Sequence, residues 1–161
     1  MVENSLFSKP RDLFLDVVNA RDYVQIDSVS HMYQSLKNSV EKPLKMILLY
    51  GKPGTGKSML LHKLHYDLSK HQKVFMVETP IIEEEDFLRV LAQQIFGHSP
   101  REGISLNRFL EIASALSLPN VPIVLLDEAQ LYSASLMEKI RLISDARAVK
   151  LLPCWGSCRR S

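Results

Sequence analysis

Residues 45–58 read KMILLYGKPGTGKS, an apolar run that ends in a glycine-rich turn closed by a lysine and a hydroxyl. Bounded by Pro43 and Gly51, residues 45–50 predict a buried strand. Gly51, Lys52, Pro53, Gly54, Thr55, Gly56, Lys57 and Ser58 then match G-x-x-x-x-G-K-[ST] in full. The three glycines allow backbone conformations that turn successive N–H groups toward one point, and a helix starting there offers its positive end to an anion. Lys57 is placed to reach β- and γ-phosphate oxygens, the Ser58 hydroxyl to complete a magnesium shell, and Met59 to continue the nucleotide-binding turn. The bland alternative is a glycine-rich turn that binds nothing. The lysine, the hydroxyl and the flanking strand and helix together weigh against it.

Working outward, Met59, Leu60, Leu64 and Leu68 continue a helix to about Lys70, and residues 74–78 (VFMVE) predict a second strand. Upstream, Val29, Met32, Tyr33, Leu36 and Val40 recur at helical spacing behind Asp27 or Ser28 as cap, while residues 1–27 are weakly patterned. Downstream, Glu83, Glu84, Glu85 and Asp86 suit the positive end of a helix that carries Phe87, Leu88, Leu91, Ile95 and Phe96 on one side and stops at Gly97. A partner-binding acidic patch is the other reading of that run. Ser105 caps a further helix bearing Leu106, Phe109, Leu110, Ala113 and Leu116. Residues 121–126 (VPIVLL) predict a strand, 133–147 a helix and 149–155 (VKLLPCW) a fourth strand. Buried strands alternating with helices define an α/β fold, a mainly parallel sheet covered on both faces.

The run at 121–126 releases Asp127 and Glu128 at its C-terminal end, where ligands sit in open α/β sheets. Asp127 is thereby placed to hold magnesium, directly or through water. Glu128, with Lys57, is a candidate catalytic residue, as base or orienter of an attacking water. Strands ending in Asp-Glu are common by chance, and the pair gains its weight from the phosphate loop.

Composition agrees with this reading. The 161 residues are 46% hydrophobic and 24% charged, enough for one domain that buries roughly 70% of the surface of its unfolded chain without disulfide or metal staples. A net charge of +2 does not by itself imply a nucleic-acid partner. Cys154 and Cys158 are at most half of a metal site. There is no signal-peptide pattern, and no run approaches the ~18 apolar residues of a membrane span, so the expectation is a cytoplasmic chain without membrane insertion.

Together these residues resemble the Walker A and Walker B motifs of an AAA+ ATPase, a P-loop NTPase with a three-layer α/β/α fold. Asp127-Glu128-Ala129-Gln130 is similar to the branch that includes the ExeA-like general-secretion accessory ATPases, the transposition helper ATPases and the origin-recognition ATPases. The resemblance, over residues 22–153, implies ATP as ligand or substrate, Mg2+ as cofactor, a protein or nucleic-acid partner, and assembly into a homo-oligomer. It implies an N-terminal segment with a leading helix at 1–42, the nucleotide-binding core at 43–155 and a short basic tail at 156–161. Adenine contact would carry over to Tyr23, Val24 and Ile26, which suit a core equally well.

The family core has five strands, with Walker B on the third and a polar sensor residue at the end of the fourth, where Ser157 is a weak candidate. A fifth strand, an arginine finger and a helical lid with a second sensor find no sequence here. Arg141 and Arg147 lie too early, and Arg159 and Arg160 read as an exposed basic tail. The expectation is a core truncated after its fourth strand, with PCWGSCRRS as a truncated or frameshifted end. Family sheet order would then make the phosphate-loop strand an edge that invites pairing. Without an arginine finger, worth ~10³ to 10⁵ in rate in related NTPases, turnover would be slow.

Two other functions remain open at this level: a nucleotide-holding module with little hydrolysis of its own, and a small P-loop kinase. The kinase lacks an evident cluster of basic lid residues. A phosphate loop does not distinguish ATP from GTP, but no guanine-reading N-K-x-D occurs, and no helix-turn-helix signature or strongly basic face points to direct DNA binding.

Overall fold

In the computed structural model, which describes residues 27–81, 83–97, 103–115 and 121–156, the chain alternates strands with helices. The elements are α1 (Asp27–Glu41), β1 (Leu49–Gly51), α2 (Lys57–Leu68), β2 (Val74–Val77), α3 (Glu84–Phe96), α4 (Leu106–Ala115), β3 (Ile123–Leu126), α5 (Ala134–Asp145) and β4 (Lys150–Gly156), with a 3-10 turn at Ala129–Leu131. The four strands are parallel, in the order β1-β4-β3-β2. Leu126 lies opposite both Val77 and Pro153, and Gly51 opposite Gly156, so the loops that follow β1 and β3 leave the same end of the sheet.

Helices cover both faces. On one side Tyr33, Leu36 and Val40 of α1 and Leu60, Leu61, Leu64 and Leu68 of α2 pack with Leu49, Ile123, Leu125, Leu152 and Cys154. On the other, α3, α4 and α5 bring Phe87, Leu91, Phe109, Leu136 and Ile140 against Val124, Leu126 and Leu151. Every residue of β3 is buried, as a strand sandwiched between two helix layers must be. The three-layer α/β/α arrangement expected from the sequence is present.

The helix ends follow local chemistry. Ser105 Oγ accepts the Arg108 N–H at 3.3 Å, and Ser133 Oγ accepts that of Leu136 at 3.1 Å. Acidic Glu84, Glu85 and Asp86 occupy the first turn of α3, and the Gly97 N–H closes its end on the Gln93 carbonyl. The Val40 carbonyl in the last turn of α1 and the Lys42 carbonyl just past its end are met from across the molecule by the Lys150 ammonium, which donates to both. Burial lowers the pKa of that lysine.

Two sequence expectations need correction. The run 45–50 was expected as a buried strand, yet Leu48 is 58% and Tyr50 65% exposed. The paired strand is only Leu49–Gly51, preceded by one bridge from Met46 to Leu151. The reason is position: β1 pairs with β4 alone at the edge of the described sheet, and Leu49 packs under α2 while Leu48 and Tyr50, on the opposite side of the chain, join neither core cluster. That edge placement is the one anticipated for the phosphate-loop strand. Met32, assigned to the apolar face of α1, is 43% exposed because Tyr33, Leu36 and Val40 make the contact with α2 and the sheet. Leu116 lies outside the described residues.

A polar clamp joins α1 to the helix that follows the phosphate loop. Tyr33 donates its hydroxyl to Asp67 Oδ2 at 2.5 Å, and Lys63 and Lys70 lie 3.1 and 3.7 Å from Oδ1. Burial pushes the Asp67 carboxyl up, but the Tyr33 hydroxyl and the two lysines outweigh it and hold the carboxyl below its ordinary value. A pKa depressed by folding contributes stability that is present above the unfolded value of about 4 and is lost as pH falls through the folded value. Tyr33→Phe should therefore cost about 1 kcal/mol near neutrality and less below about pH 4. Urea denaturation at pH 7 and pH 3 checks this, and an equal loss at both would count against the clamp.

Candidate functional site

At the turn between β1 and α2, Gly54 and Gly56 adopt left-handed backbone, with φ of 76° and 78°. A Cβ at either would meet nothing within 4 Å, so conformation rather than space calls for glycine here. Gly56 is the N-cap of α2, with no side chain capping the helix and no acidic residue in its first turn. The first backbone bond into the helix runs from Leu60 N to Gly56 O at 3.0 Å, which leaves the N–H groups of Lys57, Ser58 and Met59 outside the helical ladder. A helix start uncapped by its own chain suits an anion.

The loop is ordered from within. Thr55 Oγ1 and Lys57 Nζ both donate to the Lys52 carbonyl, at 2.8 and 2.7 Å. Lys52, Pro53, Gly54, Thr55 and Gly56 are exposed, whereas Lys57, Ser58 and Met59 are half-buried where α2 meets the sheet.

From the neighbouring strand, Asp127 enters the same end of the sheet. It is 7% exposed, its N–H donates to Val77 O at 3.0 Å, and its Oδ1 accepts the Glu128 N–H at 2.9 Å. Glu128 is exposed, on left-handed backbone with φ 50° and ψ 39°. Its Oε2 accepts from Gln130 Nε2, and Gln130 Oε1 accepts the Gly156 N–H at 2.8 Å.

Cys154 of β4 is buried between these elements. Burial pushes its thiol up to about 12, and Asp127, which shares a hydrogen bond with it, and Glu128 act in the same direction against the opposing charge of Lys57. So Lys57 at the start of α2 and Asp127 and Glu128 at the end of β3 all lie within electrostatic reach of Cys154 in β4, toward the C-terminal end of a parallel sheet. The first three are residues that the sequence reading proposes for the site. A thiol held protonated is a poor metal ligand, and Cys158, the other half of the half-site considered above, lies outside the described residues.

Sequence reasoning missed two members of this neighbourhood. Cys154 was read only as part of a strand and as half of a possible metal site, and Gln130 was part of a quoted motif without a role. Tyr23, Val24, Ile26, Ser157, Arg159 and Arg160 lie outside the described residues. Arg141 is engaged on its own helix by Glu138 and Asp145, and the Glu138 carboxylate raises the guanidinium above its ordinary range. Arg147 is exposed just past the end of α5.

The fold and this loop have counterparts. Residues 40–155 match the family model described as AAA domain. Among solved structures, the chain is similar to one in Drosophila ORC bound to AT-rich DNA and Cdc6, with TM-score 0.63 and 18% identity, covering 80% of this chain and 47% of that one. A chain of Drosophila ORC bound to DNA gives 0.62 and 17%, covering 84% and 82%. Drosophila ORC bound to GC-rich DNA and Cdc6 gives 0.64 and 16%, covering 93% and 55%. The present chain thus spans about half the length of two of these, and at such identities the likeness speaks for the fold. No curated protein sequence matches it. With the family match extending from the end of α1 through the glycine loop and Asp127 to β4, on a parallel sheet of the corresponding architecture, the chain belongs to the AAA domain family of AAA+ P-loop NTPases.

Proposed function

We propose that the chain binds Mg·ATP at the β1–α2 turn, hydrolyses it slowly, and uses the bound state to act on a protein or nucleic-acid partner. The observation that carries this reading is the convergence of an uncapped α2 N-terminus, Lys57 and the nearly enclosed Asp127 carboxylate at one end of the sheet. The N–H groups of residues 57–59 would hold the phosphates, with Gly51 to Gly56 supplying the turn. Lys57 would exchange the Lys52 carbonyl for phosphate oxygens. Glu128 would orient the attacking water and accept its proton.

Among the described residues no three or more His, Cys, Asp or Glu side chains gather into a dedicated metal cage. The donors at hand, the Ser58 hydroxyl and the Asp127 carboxylate, suit magnesium, which takes few protein oxygens and completes its shell with phosphates and water. Those two residues would hold it, and when bound it neutralises charge on the phosphate oxygens.

The core would run from residue 43 through the end of β4, whose last residue is Gly156 rather than the first of the expected tail, with α1 packed onto it. DNA is present in the Drosophila ORC structures, and that association favours a nucleic-acid partner. No described helix is long and apolar enough to cross a membrane. A second reading, nucleotide binding with little turnover, is favoured by Arg141: its guanidinium is occupied by Glu138 and Asp145 of its own helix.

The test is the rate of Mg·ATP hydrolysis per chain over a range of protein concentration, with Lys57→Ala as the blank. Removing a charge-assisted phosphate contact should weaken ATP binding by about 10- to 100-fold. A rate above the blank that climbs with concentration supports a hydrolase whose copies complete one another. A rate at the blank throughout leaves the nucleotide-holding reading.

A further inference from the structure

The carboxylate of Glu128 is exposed, and a glutamate side chain in solvent has several rotatable bonds to disperse it. What restrains it comes from two residues further on. The 3-10 turn at Ala129–Leu131, closed by Leu131 N on Glu128 O at 2.9 Å, carries Gln130 back over the end of β4. There the Gln130 amide is held at both ends: Nε2 donates to Glu128 Oε2, and Oε1 accepts the Gly156 N–H at 2.8 Å.

The chemistry of the two partners determines which way the amide faces. A backbone N–H only donates and a carboxylate only accepts, so the carbonyl must meet Gly156 and the amino group Glu128. Glutamate at position 130 would lack the donor, lysine or arginine would lack the acceptor, and asparagine is one carbon shorter. The approach is close: a Cβ on Gly156 would sit 3.2 Å from Gln130 Nε2 and 3.5 Å from Cδ. Gly156 is the last residue of β4, held in register with Gly51 of β1.

We infer that Gln130 is a positioning residue, an amide strut that ties the Glu128 carboxylate to the end of β4 and so sets where the water-activating group stands. This rests on the hydrolytic reading given above for its catalytic consequence, though the strut itself does not. The strut also makes the end of β4 a lever: displacement of Gly156 is passed to Glu128 through one side chain.

Two variants separate the two ends of the strut. Gln130→Glu keeps an acceptor for Gly156 but confronts Glu128 with a second carboxylate, whereas Gln130→Met keeps the length and removes both bonds. Three quantities are read on the full chain: kcat, the Kd of a fluorescent ATP analogue, and hydrogen exchange of the Gly156 amide by NMR. Both variants should lower kcat by roughly 10- to 100-fold with Kd within about twofold, the pattern of a displaced catalytic group rather than lost binding. The Gly156 amide should stay protected in Gln130→Glu and exchange about tenfold faster or more in Gln130→Met. Wild-type kcat in Gln130→Glu, a Kd weakened as much as kcat, or unchanged Gly156 protection in Gln130→Met would each overturn the inference. A wild-type rate equal to that of Lys57→Ala would overturn the hydrolytic reading and the catalytic consequence together, and the amide exchange would then decide the strut alone.

Discussion

Glu128→Gln should leave ATP bound and nearly unconsumed, with kcat lowered by about 10² to 10⁴, the usual contribution of a positioned general base. The substitution conserves volume, and a glutamine oxygen can still accept from Gln130 Nε2, so the local hydrogen bonding survives. What is lost is the capacity to take a proton from water. Lys57, the uncapped start of α2 and the Asp127 carboxylate are untouched, and they are the groups expected to hold the phosphates and magnesium. Single-turnover hydrolysis alongside equilibrium ATP binding reads the two effects separately. A variant that consumes ATP at the wild-type rate would remove Glu128 from the proposed chemistry, and one that no longer binds ATP would mean that its carboxylate serves the ground state instead.

Phe87→Ala carries the largest expected cost in stability, about 3 to 5 kcal/mol. The ring is 1% exposed in the cluster under α3 and α5, and it meets the Tyr132 ring edge-on, with centroids 5.8 Å apart and planes at 73°. Removing it deletes the transferred apolar surface, opens a cavity and ends that aromatic contact. Tyr132 closes the 3-10 turn that follows Asp127 and Glu128, so the loss is felt at the site as well as in the core. Against a typical domain stability of about 5 to 15 kcal/mol, a change of this size consumes much of the margin. The urea midpoint should fall steeply at unchanged slope, whereas Met32→Ala, on the same reasoning about exposure, should stay within about 0.5 kcal/mol. Equal shifts for the two variants would refute the burial argument.

Much of the candidate site was legible because its parts are contiguous. The glycine spacing between Gly51 and Gly56, the lysine and hydroxyl that open α2, and the acidic pair that ends an apolar run are each set by backbone conformation and hydrogen bonding within a few residues. Helix boundaries followed for the same reason: Ser105 and Ser133 cap three residues ahead, and Gly97 stops α3 through a bond four residues back.

Local pattern had less to say about solvent. Hydropathy reads KMILLY as buried, since an apolar run at the edge of a sheet and one at its centre look alike in one dimension. Only strand order, which puts β1 outside β4, exposes Leu48 and Tyr50.

The sequence by itself therefore determined the class of fold, the glycine-rich turn that opens α2 and the acidic pair that ends β3, because these depend on short-range sterics and periodicity. The tertiary structure alone decided which distant residues complete the neighbourhood. Cys154 comes beside Asp127, Gln130 reaches Gly156 across 26 positions, and Tyr33 reaches Asp67 across 34. Those pairings depend on the order and register of parallel strands and on which helix covers which face, quantities set by packing the whole chain at once rather than by any segment of it.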